Sequence, residues 1–529
     1  MFSIPPGAAR RAAVIFVLSL LLVAAVYRDT PVNFLRDESG WYLVQSHSSE
    51  ENQQRFQRDF FAHSYGGHYT PLAFLAEFQT AKIVGTNESF WKWRQILALA
   101  LVGAALCGAA YAIGGLFQLS RWSRWAMGAV LAAGAVFRPE IMEFIGWPFM
   151  IFQLLWIGLF ILALYAAVRV ASAPEQTRWP WIAAATACAS IQVSGLGLVT
   201  VVAVAAVLAG ILLLARRCPS SIYAPHRKHI ASALIAMLAV AAAHGWAMLH
   251  LLPSHPSFSA PFRLLCKLWL GFTANLAAAA ARTFIGTAIS EPGWRSLAYG
   301  WPYGLLIVAA SLFLIFWLLR KSLREPTPQN LTRFALHAFS ISAFLALIGL
   351  SAVRQFQADS FDTAAINLAL STTLPRYVVP LHFIVIASAI GVAVWLIQRA
   401  PRLGPAAFCA LALAALVAQR DFRSTTFVYV APLERISHAS AWGLLLSTIR
   451  ECRAAQLPVP NVPMAALTHG FVNEDAKSFE SLWRHDLHLK PEENVEIIPW
   501  EQYLAGDRER YRGVPSLELL EQKLGFRRD

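Results

Sequence analysis

Helix-length apolar runs recur along this chain, at residues 12–27, 96–118, 125–144, 147–168, 180–197, 198–215, 230–252, 301–319, 335–353, 377–397 and 404–419. A bilayer core takes about 20 apolar residues per helix, with a range of roughly 17–25. The pattern therefore predicts 11 membrane spans. The stretch 180–215 is divided at Ser194-Gly195, where a polar residue followed by glycine favours a tight hairpin. Leu264–Ile285 is amphipathic and fits three readings: an interfacial helix, a re-entrant one, or a twelfth span. A transmembrane barrel is excluded, because its strands would be short and alternating.

The polar stretches carry structure of their own. In the first long loop, about 28–95, Ser48–Phe61 places Phe56, Phe60 and Phe61 at helical spacing. Thr70–Val84 puts Leu72, Leu75, Ala76 and Phe78 on one side. Both read as amphipathic helices lying on the membrane surface. Beyond residue 420 the character changes. Trp442–Arg453 and Ser516–Leu524 read as helices, Pro458–Pro463 as a break, and Asn494–Ile498 as a short strand. The expected architecture is mainly α. It has a polytopic helical bundle over 1–420 and a small soluble α+β domain over 421–529. No repeat of 20–50 residues marks a solenoid.

Composition agrees with the pattern. The chain is 57% hydrophobic and 14% charged, where a soluble protein carries about 25% charged residues. The net charge of +13 is unevenly spread: 1–420 holds 31 basic and 15 acidic residues, against 13 and 16 in 421–529. The excess lies in short loops: Arg10-Arg11; Arg121 and Arg124; Arg169 and Arg178; Arg216, Arg217, Arg227 and Lys228; Arg320, Lys321, Arg324 and Arg333; Arg399 and Arg402. Glu175 and Glu325 are the acids among them. Such loops are cytoplasmic by the positive-inside rule, so the charge reports topology and not a nucleic-acid partner. This sets the N-terminus inside and 421–529 outside, provided 180–215 is a hairpin and 253–300 does not cross. Residues 12–27, after Arg10-Arg11, are taken as an uncleaved first helix in preference to a signal peptide. The six cysteines show neither CxxC nor metal-ligand spacing, so no disulfide framework and no zinc site are expected.

Four clusters fall on the outer side. Asp37-Glu38, within Arg36–Tyr42, comes just after the first span. Gly66–Leu72, containing His68 and Tyr69, lies later in the same loop. Arg138-Pro139-Glu140 and Glu143 stand where the third run reaches the outer face. Arg376 and Tyr377 lead into the tenth run. Each also has an ordinary explanation: acids suit a helix start, Tyr an interfacial belt, and Arg a snorkelling helix end. Together they supply what transfer of a sugar from a lipid phosphate requires. A carboxylate takes the acceptor's proton. A guanidinium holds the departing phosphate through two parallel hydrogen bonds, which an ammonium cannot do. His47, His63 and His68 match no metal motif.

These clusters resemble the GT-C superfamily of membrane glycosyltransferases, which includes protein O-mannosyltransferases and aminoarabinose transferases. The acidic pair after the first span, the large outer loop and the late Arg376-Tyr377 carry the likeness over 1–420. His68-Tyr69-Thr70-Pro71-Leu72 is similar to the His-Tyr-x-Pro-Leu of bacterial members. The resemblance implies Asp37 as catalytic base, Glu38 as its neighbour, and Arg376 with Tyr377 at the donor phosphate. His68, Tyr69, Arg138, Glu140 and Glu143 would line the substrate site. It implies a polyprenyl-phosphate sugar as donor, with a glycan, lipid or protein acceptor. It also implies an inner-membrane location in cell-envelope glycan synthesis, with 421–529 periplasmic. No Asp-x-Asp stands in the first two outer loops, so a divalent metal has no motif behind it, and no tetratricopeptide repeat is present. Two other classes stay open. One is a polysaccharide or lipid transporter, or a polymerase; transporters place ionisable residues at mid-membrane, where these runs hold almost none. The other is a non-catalytic scaffold of the same shape.

Overall fold

The computed structural model describes residues 6–28, 30, 32, 37–63, 69–138, 140–217, 222–251, 262–285, 297, 299–355, 360–372, 375–402, 404–407, 409–410, 447–457, 462–463, 497–498, 513–516 and 518–519. The chain is mainly α-helical. Helix α1 (Pro6–Tyr27) is followed by three shorter helices, α2 (Asp37–Ser46), α3 (Glu50–Ala62) and α4 (Pro71–Val84). Then come α5 (Glu88–Leu116), α6 (Arg121–Val136) and the six-residue α7 (Ile141–Gly146), with a 3-10 turn at Pro148–Met150. The bundle continues with α8 (Ile151–Ser172), α9 (Arg178–Val193), α10 (Gly197–Arg217) and α11 (Arg227–Leu251). It closes with α12 (Phe262–Ile285), α13 (Trp301–Arg324), α14 (Pro328–Gln355), α15 (Phe361–Leu370) and α16 (Pro375–Arg399).

Eight helices among the described residues are long and apolar enough to cross a membrane: α1, α5, α8, α10, α11, α13, α14 and α16. This is an integral membrane protein, and its apolar helices make the lipid bilayer its surroundings. Leu21, Leu306, Phe313 and Phe316 are more than half exposed on α1 and α13. Faces of that kind are satisfied by lipid, not by water.

Eleven spans were expected, and the difference lies in three places. Run 125–144 does not continue as one helix. It stops at Val136, because Pro139 disfavours helical backbone at Arg138 and offers no N–H of its own. The resulting α6 has 16 residues, about 24 Å at 1.5 Å per residue, against a core of about 30 Å. Helix α9 also has 16 residues. Run 404–419 falls largely outside the described residues.

The hairpin between α9 and α10 forms where it was expected. The Ser194 N–H closes α9 on the Ser190 carbonyl, and the Gly197 N–H returns to the Ser194 carbonyl at 2.8 Å. A Cβ at Gly197 would overlap the Ser190 carbonyl, so only glycine starts α10 this close to α9. Between α8 and α10 the Trp156 indole donates to the Thr200 hydroxyl at 3.0 Å inside the core. Leu264–Ile285, left open by its pattern, is helical as part of α12. It crosses α13 backbone to backbone, since a Cβ at Gly304 would strike the Leu270 carbonyl.

The first loop forms the two expected helices, α3 and α4. Ser49 caps α3 by accepting the Asn52 N–H. Phe56 and Phe60 turn into the protein, while Phe61 stays half exposed. They pack edge-on to each other, ring centres 4.8 Å apart, and against Tyr42 of α2 and Phe74 and Phe78 of α4. On α4 the inward face is Phe74, Glu77, Phe78 and Ala81. The expected stripe is therefore divided: Leu72 and Ala76 face outward, and Phe78 is buried. Among the described residues beyond 420, a helix covers 447–454, and Val462–Pro463 pairs in parallel with Ile497–Ile498. The Ser516 hydroxyl and N–H both donate to Glu451, at 2.6 and 3.0 Å.

Candidate functional site

The site is built where α6 gives way to α7. The Tyr27 hydroxyl, at the end of α1, donates to the Val136 carbonyl at 2.7 Å and lies 3.0 Å from that of Arg138. It also accepts the Arg138 N–H at 3.1 Å. A hydroxyl has one proton and two lone pairs, so it can satisfy groups of both kinds where the helix has just ended. The chain is thus pinned at Val136 and Arg138, where α6 has ended.

Beyond the turn, Arg138 donates from Nε to Glu140 at 3.4 Å, and both side chains are at least nine-tenths buried. Burial pulls the Arg138 guanidinium below its ordinary value, while Glu140 beside it pulls back up. Three residues on, Glu143 is 3% exposed and accepts the backbone N–H of Arg376 at 3.2 Å. Arg376 is the second residue of α16, so this N–H has no partner within its own helix. A carboxylate there also meets the positive end of the helix dipole.

The Arg376 side chain lies between two rings. Its guanidinium carbon is 5.7 Å from the centre of Trp147 and 5.4 Å from that of Tyr377. The ring faces attract the cation and leave its edge for hydrogen bonding. The Nε–H is buried and meets no acceptor among the described residues. Pro380, further along α16, has no N–H to offer the Arg376 carbonyl.

Helix α2 docks against the 3-10 turn Pro148–Met150 that follows α7. The Phe149 N–H donates to the Ser39 hydroxyl at 2.9 Å, and Tyr42 stacks on Phe149 at 6.1 Å with 19° between the planes. Asp37 and Glu38 are the first two residues of α2. Their side chains, and His68 altogether, lie outside the described residues. The fold therefore brings the acidic helix, the Arg138–Glu143 turn and the start of α16 to one end of the bundle. Tyr69 goes elsewhere: its ring is 5.7 Å from His244 of α11, and its hydroxyl donates to the Phe61 carbonyl at 3.4 Å.

A second polar group braces this turn and was not singled out in the sequence. Arg94 of α5 meets Glu77 of α4 with two hydrogen bonds, at 2.6 and 3.0 Å, and also donates to the Pro148 carbonyl at 2.7 Å. Glu77 is 3% exposed. The neighbouring Gln95 amide points at the carbonyls of Phe144, Trp147 and Pro148, all within 3.0 Å. An amide nitrogen carries two protons, so it serves two of the three at a time. The available signal was an Arg-Gln pair at the head of an apolar run, with a lone Glu inside an apolar helix. A buried charge of that kind needs a partner.

Among the described residues no three His, Cys, Asp or Glu gather as a metal site would require. What the arrangement offers is a guanidinium 5.7 and 5.4 Å from the centres of two aromatic rings, at a helix N-terminus where Glu143 already accepts one N–H, a setting that attracts anions. In comparisons with protein-family models, curated proteins and solved structures, nothing matches this chain.

Proposed function

We propose that this protein is a membrane glycosyltransferase of GT-C type. It moves a sugar from a polyprenyl-phosphate donor to a glycan, lipid or protein acceptor on the outer face of the membrane. The observation that carries this reading is the Arg376 guanidinium, held between Trp147 and Tyr377 beside the docked α2. In the reaction, Asp37 takes the proton of the acceptor hydroxyl. The oxygen attacks the anomeric carbon, the bond from that carbon to the phosphate oxygen breaks, and the lipid phosphate leaves. Arg376 binds the phosphate and meets the growing charge, and such preorganised contacts are a large part of catalysis. Glu38 stands beside the base.

Glu143, engaged with the Arg376 backbone, is a positioning residue that sets where the guanidinium sits. Arg138 and Glu140 answer each other's charge and shape the floor of the turn. His68 is assigned to the acceptor side of the outer loop, whereas Tyr69, packed on His244 of α11, is given no part in the transfer site, and 421–529 form a small α+β domain beyond the membrane. The test is transfer of labelled sugar from a lipid-linked donor by the protein in liposomes, with Arg376→Lys and Asp37→Asn alongside. Transfer by the native protein and its loss in both variants supports the reading. One observation favours a scaffold without activity: Glu143, Arg138 and Glu140 all have partners inside the protein. No transfer with any lipid-linked sugar, from a correctly folded protein, would select that alternative.

A further inference from the structure

Helix α16 runs from Arg376 to a second polar site at its other end, about 35 Å away by helix rise. There a cavity of about 640 Å³ opens between α13, α14 and α16, with Phe117, after α5, also in its lining. Three cations line it, Lys321, Arg333 and Arg399, and its lining includes neither Asp nor Glu. Glu325, on the adjoining turn, is exposed and accepts from the Asn330 amide at 3.3 Å.

The cations are held in place. Arg333 donates to Gln398 at 3.0 Å, and Gln398 donates in turn to the Phe117 carbonyl at 3.3 Å. The Lys321 ammonium lies 5.6 Å from the Trp317 ring, and Arg399 lies 5.5 Å from Trp395. Both tryptophans are about half exposed, at 48% and 50%. Amphipathic rings of this kind sit at headgroup level. Below them Leu314, at 38% exposed, and Val392, at 49%, lead from the cavity onto the apolar surface of the helices. Cations at headgroup depth above an apolar track match one kind of molecule, with an anionic head and a hydrocarbon tail.

We propose that this cavity binds an anionic glycerophospholipid, its phosphate between Lys321 and Arg333 and an acyl chain along Leu314 and Val392. The site stands apart from the proposed transfer site and is independent of that reading. Its occupant would tie α13 and α14 to α16 at the end opposite Arg376.

The test is native mass spectrometry of the full-length protein in detergent, titrated with phosphatidylglycerol or phosphatidylcholine. Phosphatidylglycerol is expected to bind the native protein in preference. A basic residue near an anionic headgroup contributes about a five-fold change in affinity. Lys321→Gln is therefore expected to weaken binding about five-fold, and Lys321→Gln with Arg333→Gln by roughly 25-fold if the charges act independently. Lys321 forms its contact through a ring face alone, so the single variant keeps the test alive should the double one fail to fold. Arg227→Gln with Lys228→Gln removes two exposed cations elsewhere and is expected to leave binding within two-fold. Three results would overturn the proposal. They are equal binding of phosphatidylcholine, an equal loss in the Arg227/Lys228 variant, and displacement of the lipid by millimolar inorganic phosphate alone. The last would mark a site for free anions.

Discussion

The carboxylate of Glu143 accepts the backbone N–H of Arg376 across 233 positions of sequence. It joins α7 to the second residue of α16, and the side chain of that residue is the cation proposed to meet the donor phosphate. Glu143→Ala leaves the partly buried N–H without its acceptor, a loss of up to about 1.5–3 kcal/mol for a charged hydrogen bond. Glu143→Gln keeps an acceptor oxygen and is expected to lose less. Thermal unfolding in detergent should rank native, Gln and Ala in that order. An Ala variant as stable as the native protein would show that α16 is placed by other contacts.

Arg94 and Glu77 make the second prediction. Their pair is bidentate and largely buried, and removing one partner strands the other charge at a cost of about 3–5 kcal/mol. Glu77→Ala and Arg94→Met are each expected to be severely unstable, and the double variant less so than their sum. Arg94→Lys should not rescue, because an ammonium cannot match two oxygens and the Pro148 carbonyl with a planar fork. Strict additivity in the double-variant cycle would mean that the two groups are not coupled.

For Arg376 the informative change is also to lysine. It keeps the charge and gives up the flat guanidinium held between Trp147 and Tyr377. The expectation is impaired donor use with normal membrane insertion, read as a higher donor concentration for half-maximal transfer. Native kinetics in Arg376→Lys would reduce this residue to a helix-end anchor.

Asp37→Asn keeps size and shape and removes the ability to take a proton at neutral pH. General-base catalysis contributes about 10²–10⁴-fold, so transfer should fall by that order while the donor still binds. Glu38→Gln should cost less. A fully active Asp37→Asn protein would move the search for a base to Glu140 and Glu143.

Topology supplies the last prediction. Reporters fused after Gln419 and within 320–333 are expected to give opposite signals, the latter cytoplasmic. Matching signals would mean that the number of crossings between them is even. The pairing of basic loops with one side would then need revision.

How far the chain alone went depended on the range of the physics involved. Moving a helix into lipid is a sum over adjacent side chains, so α1, α5, α8, α10, α11, α13, α14 and α16 are visible as apolar runs. The α9–α10 hairpin is visible for the same reason: Ser194 and the glycines beside it act on their own backbone. Even there, one proline changed the outcome. Run 125–144 looks continuous by hydropathy, yet the chain turns after Val136, because a missing N–H is not a hydropathy term. The amphipathic α4 was legible as a helix, but not which of its faces turns inward. That depends on Arg94 arriving from α5 to neutralise Glu77. Arg138, Glu140, Glu143 and Arg376 were singled out by residue type and position. Arg138 meets Glu140 within two residues, but the contact of Glu143 with the start of α16 was decided only when the helices packed. A buried charge is stable only beside its complement, and distant segments become neighbours through the packing of whole helices, which no local pattern encodes.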